Sequence, residues 1–490
     1  LLASGRIETM EKWLARCGSA GFLDPGAVLA RAEIAVRRGR FSEAASLARD
    51  LADRLPPDDP NLARTWNTIG QAHILQSNYA DALDCHLEAR KLASKEGDLT
   101  QALWGAFLSA SELEFDAADD LLSEFQELVP RDATGQLRLG SGKQIAATHS
   151  GSFAGVWPSL EPLMSLATTE ADPMAASNFL ANAAYVNVGR GDYQLAKSLA
   201  ERGVKFCTDL RLDFATAFCL VQLAAADIGL RDLRSAERTV AELSRTGVRH
   251  EDPWLRATMR TLEIRLALAK GQVEPAASLS NPALDPATPP APRGEYLGVS
   301  AIALAASGQF QEARERAREA LSATHTIEAV YYSRYGLLIA DISQLTSTSA
   351  IDHAGRRIIH DSQAADFLDA LVVSYRASPK LLNWLADQTG IEETLIRAMA
   401  AANDEHIARR IGLELRQTAS EPSELAHLTP REHEVLEHLA KGFSNEEIAK
   451  HLFISRSTTK VHVHHILGKL GVRTRLQAVL RAQELLRASD

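Results

Sequence analysis

Cysteine and long apolar runs, on which cross-links and membrane insertion depend, are scarce in this sequence. The four cysteines, Cys17, Cys85, Cys207 and Cys219, are scattered, and none belongs to a Cys-x-x-Cys pair. This spacing favours reduced packing thiols over disulfides or a zinc site. The sequence contains neither a run of eighteen apolar residues nor a basic-then-apolar leader. It therefore predicts no membrane contact and no secretion, and we expect a cytoplasmic protein.

Catalytic motifs are missing as well. The segment Gly140–Gln144 (GSGKQ) resembles the end of a phosphate-binding loop, but position 137 holds Leu in place of Gly, and position 144 is not Ser or Thr. We interpret the segment as a polar turn between repeats. Since no grouping of nucleophile, base and orienting residue can be assembled, the sequence predicts neither an enzyme nor a bound cofactor.

Charge is distributed unevenly along the chain. Residues 428–490 carry ten Lys and Arg against seven Asp and Glu, a balance of +3, whereas the preceding residues sum to −13. Phosphate groups repel negative charge, so only the C-terminal part is electrostatically suited to double-stranded DNA.

A repeated pattern fills most of the chain before that part. An aromatic or aliphatic residue followed three positions later by Ala, once by Val, recurs at intervals of 36 to 40 residues in eight pairs: Phe41/Ala44, Tyr79/Ala82, Phe115/Ala118, Phe153/Val156, Tyr193/Ala196, Leu233/Ala236, Val273/Ala276 and Phe310/Ala313. Most pairs follow a turn residue, which is typical of a helix, a tight turn and a second helix. The pattern resembles tetratricopeptide-like repeats. Because one hairpin cannot bury its own apolar face, eight hairpins should stack into a right-handed superhelix with a concave inner surface.

The organisation predicted for the whole chain is all-α. Residues 1–345 should form the repeat superhelix, and residues 346–416, where the period loosens, should add helices that close it. Residues 417–427 (QTASEPSELAH) are polar and contain Pro422, which indicates a linker. Residues 428–490 should form a separate four-helix DNA-binding domain.

Helix starts in this last part are marked by capping residues. Thr429 with Glu432, and Ser444 with Glu447, have capping-box spacing, and Ser455 caps a third helix. The predicted helices are 430–441, 445–452 and a third that ends near residue 470. A short helix, a tight turn and a longer helix is helix-turn-helix geometry.

The apolar spacing divides these helices into a core and a free face. The core is predicted to contain Val435, Leu436, Leu439, Ile448, Ala449, Leu452, Ile454, Ile466, Leu467 and Leu470. The face left outward on the third helix is predicted to carry Arg456, Ser457, Lys460, Val461 and His464, with Thr458 and His465 partly outward. That face is basic and hydrogen-bonding, as a major-groove reader needs.

The stretch from Leu428 to about Arg487 resembles the LuxR-type (NarL/FixJ-like) DNA-binding domain. The residues that carry the resemblance are LTPRE at 428–432, GxSNxEIA at 442–449 and KxH at 460–462, with KLGV at 469–472. One departure is Thr459, where the family usually has Val. This change puts the packing beneath the recognition helix in question.

The resemblance implies roles for individual residues. Base edges should be read by Lys460, Val461 and His464, and the DNA backbone should be held by Asn445, Ser455, Arg456, Thr458 and His462. Leu476, Val479 and Leu480 in a fourth helix should support a homodimer on DNA, or simply pack against the first helix. RNA polymerase is a further expected partner. The histidines His462, His464 and His465 are residues that bind metals, but a fourth ligand is missing, and DNA contact explains adjacent recognition-helix positions better.

A repeat superhelix joined to such a reader resembles the C-terminal half of MalT-like regulators, whose repeat domain is an inducer sensor and which carry an N-terminal signalling ATPase. The chain opens without Met, and we expect it to be a fragment that lacks the ATPase. The predicted function is a sequence-specific transcription regulator whose repeats sense a small inducer. The alternative is that the repeats form a scaffold for a protein or peptide partner.

Overall fold

The computed structural model describes residues 7–19, 24–168, 171–245, 252–344, 349–413, 430–440, 443–452, 455–469 and 478. Within these ranges every regular element is a helix, which confirms the all-α prediction. The chain divides into two compact units, Leu1–Leu413 and Glu414–Asp490. Across the same ranges, no helix is both long and apolar enough to cross a membrane.

The first unit is built from helical hairpins. Its helices are α1 Ile7–Ser19, α2 Pro25–Arg37, α3 Phe41–Ala52, α4 Leu62–Ile74, α5 Tyr79–Leu92, α6 Glu96–Glu112, α7 Ala117–Leu128, α8 Ala133–Ser150, α9 Val156–Leu160 with a 3-10 turn at Glu161–Leu166, α10 Pro173–Arg190, α11 Tyr193–Asp209, α12 Asp213–Gly229, α13 Leu233–Arg245, α14 Pro253–Ala269, α15 Val273–Leu279, α16 Pro290–Ala306, α17 Phe310–Ala323, α18 Ile327–Gln344, α19 Ser349–Ala364, α20 Asp369–Ala377, α21 Pro379–Ala386, α22 Glu392–Ala401 and α23 Glu405–Arg410. Helices α2 to α17 form eight consecutive hairpins, as the repeat spacing predicts.

The repeated residue pairs lie at the turns of these hairpins. Six of the larger residues are the first residue of a helix: Phe41, Tyr79, Tyr193, Leu233, Val273 and Phe310. The Ala three positions later is at most 1% exposed in all six hairpins. Gly191 (φ 80°) and Gly308 (φ 85°) supply the left-handed conformation that ends the preceding helix. Two hairpins differ, because α7 and α9 begin later, and Phe115 is 52% exposed instead of closing its turn.

The expectation of a turn at Gly140–Gln144 was wrong, because these residues lie inside α8. A Cβ atom on Gly140 would come within 2.8 Å of Leu163 Cδ1, and one on Gly142 within 2.7 Å of Leu122 Cδ1. The glycines therefore allow neighbouring elements to approach α8 closely. Tertiary packing overrides the local preference of glycine for turns.

The stacked hairpins curve until early repeats touch later ones. Arg37 donates to Asp172 over 2.7 Å, and Ser77 Oγ donates to Asp252 over 2.7 Å. The rings of Phe41 and Phe214 meet edge to face, with centroids 5.6 Å apart. These contacts join the segment from α2 to the end of α4 to the starts of α10, α12 and α14. The inner surface of the repeats therefore surrounds a cavity.

Helices α19 to α23 fold back onto the middle hairpins through buried charge. Asp369, at the start of α20, is held by Arg265 over two contacts of 2.8 Å and by the hydroxyl of Tyr193 over 2.8 Å. Asp404 accepts from Arg376 over 2.7 Å and from Arg231 over 2.6 Å. Both carboxylates are buried. These helices therefore belong to the same unit as the repeats.

Three cysteines are packing residues, as the sequence predicts. Cys85, Cys207 and Cys219 are free and buried, and burial raises the pKa of Cys85 to about 11. A thiol with such a pKa carries little thiolate at neutral pH and is correspondingly unreactive. The side chain of Cys17 lies outside the described residues.

Candidate nucleic-acid interface and repeat cavity

The second unit contains the three helices that the capping residues predict. They are α24 Pro430–Ala440, α25 Asn445–His451 and α26 Arg456–Lys469, each within one residue of its predicted bounds. Ser444 Oγ accepts from the backbone of Glu447 over 3.3 Å, and Glu447 Oε2 accepts from the backbone of Ser444 over 2.7 Å. This hydrogen bond from the Ser444 backbone also lowers the pKa of Glu447. The predicted capping box at Ser444 is therefore confirmed, whereas Thr429 lies outside the described residues.

The start of α26 has its own cap. Ser455 Oγ accepts from the backbone N–H of Thr458 over 3.0 Å and lies 2.7 Å from the Thr458 hydroxyl. The cap fixes the first turn of the recognition helix, where the free N–H groups and the helix dipole favour an anion such as a phosphate.

The apolar residues of these helices form one small core. Its buried members are Val435, Leu436, Leu439, Ile448, Val463, Ile466 and Ala478, with Phe443, Leu452 and Leu467 packed against it. Val463 and Ala478 were not predicted. Val463 was missed because its sequence neighbours Lys460, Val461 and His464 were all assigned to the outward face. Ile454 and Leu470, which the prediction included, lie outside the described residues.

Thr459, the departure from the family pattern, is accommodated in this core. The residue is fully buried, and its hydroxyl donates to the backbone carbonyl of Ser455 over 3.2 Å. A buried hydroxyl costs stability only when it has no hydrogen-bond partner. The substitution of Val by Thr therefore leaves no unsatisfied polar group beneath the recognition helix.

The face predicted to meet DNA is largely solvent-exposed. Ser455, Arg456, Thr458 and Lys460 are exposed, and Val461 is an apolar side chain with 52% exposure. Asn445 and His462 are half-buried.

Other predicted site residues lie elsewhere or outside the described part. His465 is exposed, but its Nδ1 lies 3.9 Å from Glu432 Oε1 of α24, so it faces the first helix. The side chain of His464, and the predicted dimer residues Leu476, Val479 and Leu480, lie outside the described residues. The roles assigned to all these residues stay predictions.

Comparison with known protein families agrees with this geometry. Residues 426–482 match GerE, the bacterial regulatory proteins of the luxR family. The C-terminal domain is a LuxR-type helix-turn-helix domain. The match covers the three described helices of the second unit and none of the first unit.

Curated relatives match a short part of the chain. The chain is 40% identical over 111 residues to the uncharacterized transcriptional regulatory protein YxjL of Bacillus subtilis, which covers 21% of this chain and 50% of that protein. It is 40% identical over 62 residues to the nitrate/nitrite response regulator protein NarL of Escherichia coli, which covers 13% of this chain and 29% of that protein. The chain thus spans half or less of the length of these relatives. The matched segment is at most 21% of this chain.

Solved structures resemble a larger share of the chain. A Rap protein complexed with competence and sporulation factor superposes with a TM-score of 0.50 at 11% identity, covering 73% of this chain and 100% of that chain. A structure titled phAimR-Ligand gives 0.50 at 10% identity, covering 68% and 91%. At such identity the likeness shows the helical-repeat fold alone. Helical repeats followed by a LuxR-type domain fit the MalT-like arrangement predicted from the sequence.

A cavity of about 310 Å³ lies on the inner surface of the repeats. It is lined by residues of α4, α5, α6, α8, α10, α12, α14, α16 and α18, so hairpins distant in sequence contribute to one space. Trp104 and Trp254 line it, whereas Trp157 and Tyr193, two other aromatic residues of the repeats, do not. The ring of Phe218 lies 5.2 Å from that of Trp254 and extends the aromatic wall.

Four carboxyl groups also line the cavity: Glu112, Asp252, Glu295 and Glu328. Burial raises the pKa of Glu112 to about 7, with a further contribution from nearby Asp252 and Glu114. Burial likewise raises the pKa of Glu295 to about 7, against the opposing effect of Arg265. Nothing in the local sequence marks these residues, because only the fold brings them together.

Glu328 has the most strongly raised pKa of the four. Burial, with a smaller contribution from Asp369, raises it to about 8. The side chain is 6% exposed, and its Oε1 has no hydrogen-bond partner among the described residues. A buried carboxyl oxygen without a partner is unusual in a folded protein and is a candidate ligand contact.

Proposed function

We propose that this protein is a sequence-specific DNA-binding transcription regulator whose helical repeats sense a ligand and control the C-terminal helix-turn-helix. The observation that carries the proposal is the exposed face of α26. It presents Arg456, Lys460 and Val461 to solvent above a complete core, in a domain of the luxR family. The relatives named above are regulatory proteins, which supports the same assignment.

The chemistry of this face suits the major groove. A Lys ammonium donates to the O6 and N7 acceptors of guanine, and an exposed Val packs on the methyl group of thymine. An Arg in the first turn of the helix, next to free backbone N–H groups, holds a phosphate. Lys460 and Val461 are therefore proposed to read bases, with His464, while Arg456, Ser455, Thr458, Asn445 and His462 position the backbone.

The DNA-binding part of the proposal is tested by selecting a binding sequence from random duplexes with the full chain and then measuring its affinity. Lys460→Ala should weaken binding to the selected site by about 10- to 100-fold, as the loss of one base contact usually does. The control is Lys205→Ala, at an exposed position of α11 in the repeats. It removes the same charge and should leave the affinity for the selected site within about twofold of wild type. Equal affinities for wild-type and Lys460→Ala would show that α26 does not read DNA in this orientation.

The sensing part rests on the cavity. Its volume of about 310 Å³ is at the lower end of the range typical of small-molecule sites. This size favours a small inducer over an extended peptide. The alternative, a peptide or protein partner, is favoured by the likeness of the repeats to a Rap protein solved in complex with competence and sporulation factor. Two results together would favour the alternative. The immobilised chain would retain a specific protein, and no small molecule would raise the melting temperature of the chain.

Homodimerisation on DNA and contact with RNA polymerase are further parts of the proposal. Both follow from the resemblance of the C-terminal domain to its family. The stoichiometry of the chain on its selected duplex, measured by sedimentation, should be two, and Leu480→Glu should reduce it to one.

A further inference from the structure

The inner cavity of the repeats is lined by an excess of carboxyl groups and of unpaired polar atoms, which together indicate what it binds. Among the described residues that line it, Arg138 is the one permanently charged cation, against the four carboxyl groups Glu112, Asp252, Glu295 and Glu328. Arg138 lies in the field of Asp172. That carboxylate is also bound by Arg37 and caps α10. Arg138 therefore already has a carboxylate partner, whereas no cation contributes to the shifted pKa of Glu112 or of Glu328.

Unpaired hydrogen-bonding atoms give an independent observation. Within the described part of the chain, six lining side chains have a buried polar atom that lacks a partner: His86 Nε2, Glu112 Oε2, Ser141 Oγ, Gln144 Oε1, Asn182 Nδ2 and Glu328 Oε1. His86, Ser141, Gln144 and Glu328 are all at least nine-tenths buried. Buried polar atoms normally have partners, so a set of this size on residues that line one space marks a candidate binding site.

The hydrogen-bond network decides which of these atoms accept. Thr148 donates its hydroxyl proton to the backbone of Gln144, so it accepts from Gln144 Nε2 over 2.9 Å, and the free Gln144 atom is the carbonyl oxygen. Asn67 Nδ2 donates to the backbone of Asp98, so its oxygen faces His86 Nδ1 at 3.1 Å and accepts from it.

Burial lowers the pKa of His86 to about 3, so the imidazole is neutral and its free Nε2 is an acceptor. His86 Nε2 and Gln144 Oε1 are thus acceptors, and Glu112 Oε2 and Glu328 Oε1 accept once their carboxyls ionise. The amide of Asn182 is a donor, and the Ser141 hydroxyl can act either way. An occupant that completes this set must bring several N–H donors.

The remaining wall is aromatic. Trp104 and Trp254 face the cavity, and Phe218 lies against Trp254. Aromatic faces attract cations and cover apolar groups, and carboxylates next to them provide charge-assisted hydrogen bonds. Anionic ligands, by contrast, would meet four carboxyl groups and one arginine whose counter-charge is already present.

We propose that the cavity binds an organic cation, an ammonium or guanidinium group carried on a compact apolar body. The cationic group is held by Glu112 and Glu328 together with the acceptor Gln144 Oε1, and the apolar body lies against Trp104 and Trp254. This inference rests on the proposed sensing function and specifies the chemical class of its ligand.

The test uses the full chain and three probes of one shape and different charge: phenethylamine, 2-phenylethanol and phenylacetate. At millimolar concentration, phenethylamine should raise the melting temperature of the chain, and titration calorimetry should give a measurable Kd. The neutral and anionic probes should do neither. Equal or greater stabilisation by 2-phenylethanol or phenylacetate, or no effect of phenethylamine, overturns the proposal.

Variants locate the site. Glu328→Gln and Glu112→Gln should each weaken phenethylamine binding by about tenfold or more, as the loss of a charge-assisted contact does. Glu312→Gln, on the exposed side of the outer helix α17, is the matched control and should bind as the wild type does. Wild-type affinity in both cavity variants contradicts the assignment.

The cationic class of the ligand and the proposed function of the protein are tested by different results. Stabilisation by the neutral or anionic probe would leave a ligand-sensing repeat unit and remove only the cationic class. Sequence-specific DNA binding is measured without any probe, so the outcome of the Lys460→Ala experiment is independent of this test.

Discussion

Asp369 joins the C-terminal helices of the first unit to the repeats, and its replacement is a stringent test of how that unit is held together. Its carboxylate accepts from Arg265 of α14 and from the hydroxyls of Tyr193 of α11 and Tyr332 of α18. The side chains of Arg265 and Asp369 are 4% and 2% exposed. Asp369→Ala would leave a guanidinium and two hydroxyls buried without their acceptor.

The expected cost follows from this burial. Removal of one partner from a buried ion pair destabilises a protein by about 3–5 kcal/mol, because the other charge stays desolvated. For a cooperative unit of 413 residues, an unfolding entropy of about 2.1 cal/mol/K per residue converts this cost into a fall in Tm of about 4–6 °C. Differential scanning calorimetry measures this fall in Tm. The control is Asp387→Ala, at the exposed end of α21, which should shift Tm by less than about 1 °C.

A double variant distinguishes the ion pair from general damage at α20. Arg265→Met combined with Asp369→Leu removes both charges and keeps the volume, so the combination should be less destabilising than Asp369→Ala alone. If the double variant lost as much stability as the sum of its single changes, the buried pair would not be the cause. A fall in Tm below about 1 °C for Asp369→Ala would refute the reasoning more directly.

Three further predictions concern single sites. Gly105→Ala should lower the Tm of the first unit, because the new Cβ would lie 2.2 Å from His86 Nε2. The control is Gly97→Ala in the same helix, where the Cβ meets nothing within 4 Å, so this change should be neutral or stabilising. Ser444→Ala should destabilise the second unit by about 1 kcal/mol, measured by urea denaturation, since it removes the confirmed cap of α25; an unchanged midpoint would contradict this. The raised pKa of Glu328, about 8, means that the folded chain keeps a proton which the unfolded chain releases above its ordinary pKa. Stability should therefore fall as pH rises from about 4.5 to about 8, and the fall should be smaller in Glu328→Gln than in Glu312→Gln when Tm is followed across that range.

The parts of the structure that the sequence predicts are those specified locally. Ser444 and Glu447 are three residues apart, as are Ser455 and Thr458, and a cap acts over that distance whatever surrounds it. The hairpin turns at Tyr193 and Phe310 are likewise set by a glycine, a larger residue and an alanine within six positions. Periodicity and capping were therefore enough to place the helix-turn-helix and the repeats.

The cavity could not be predicted for the opposite reason. Glu112, Asp252 and Glu328 lie in different hairpins, and they meet because the superhelix curves until Ser77 reaches Asp252. The same holds for Asp369, whose partners are distant in the chain. Gly142 shows the converse error, since a residue that locally favours a turn is required inside α8 by a leucine from another helix. Curvature is a property of the whole stack of hairpins, and it cannot be predicted from the sequence of a single repeat.

Cavity and closing helices share one electrostatic environment, which bears on how a ligand would act. Glu295 and Glu328 line the cavity, and the pKa of each is raised in part by Asp369, the residue that holds α20 in place. Arg265 neutralises Asp369 and also lowers the pKa of Glu295. Under the proposal, a bound cation would favour ionisation of the cavity carboxyls and so add negative charge next to the Asp369 network. Ligand binding would then change the forces on the docking site of α20, and the Asp369→Ala variant should alter phenethylamine affinity although Asp369 does not line the cavity. Reciprocity of coupled equilibria requires this effect; identical affinities in Asp369→Ala and wild type would show that the two sites are energetically separate.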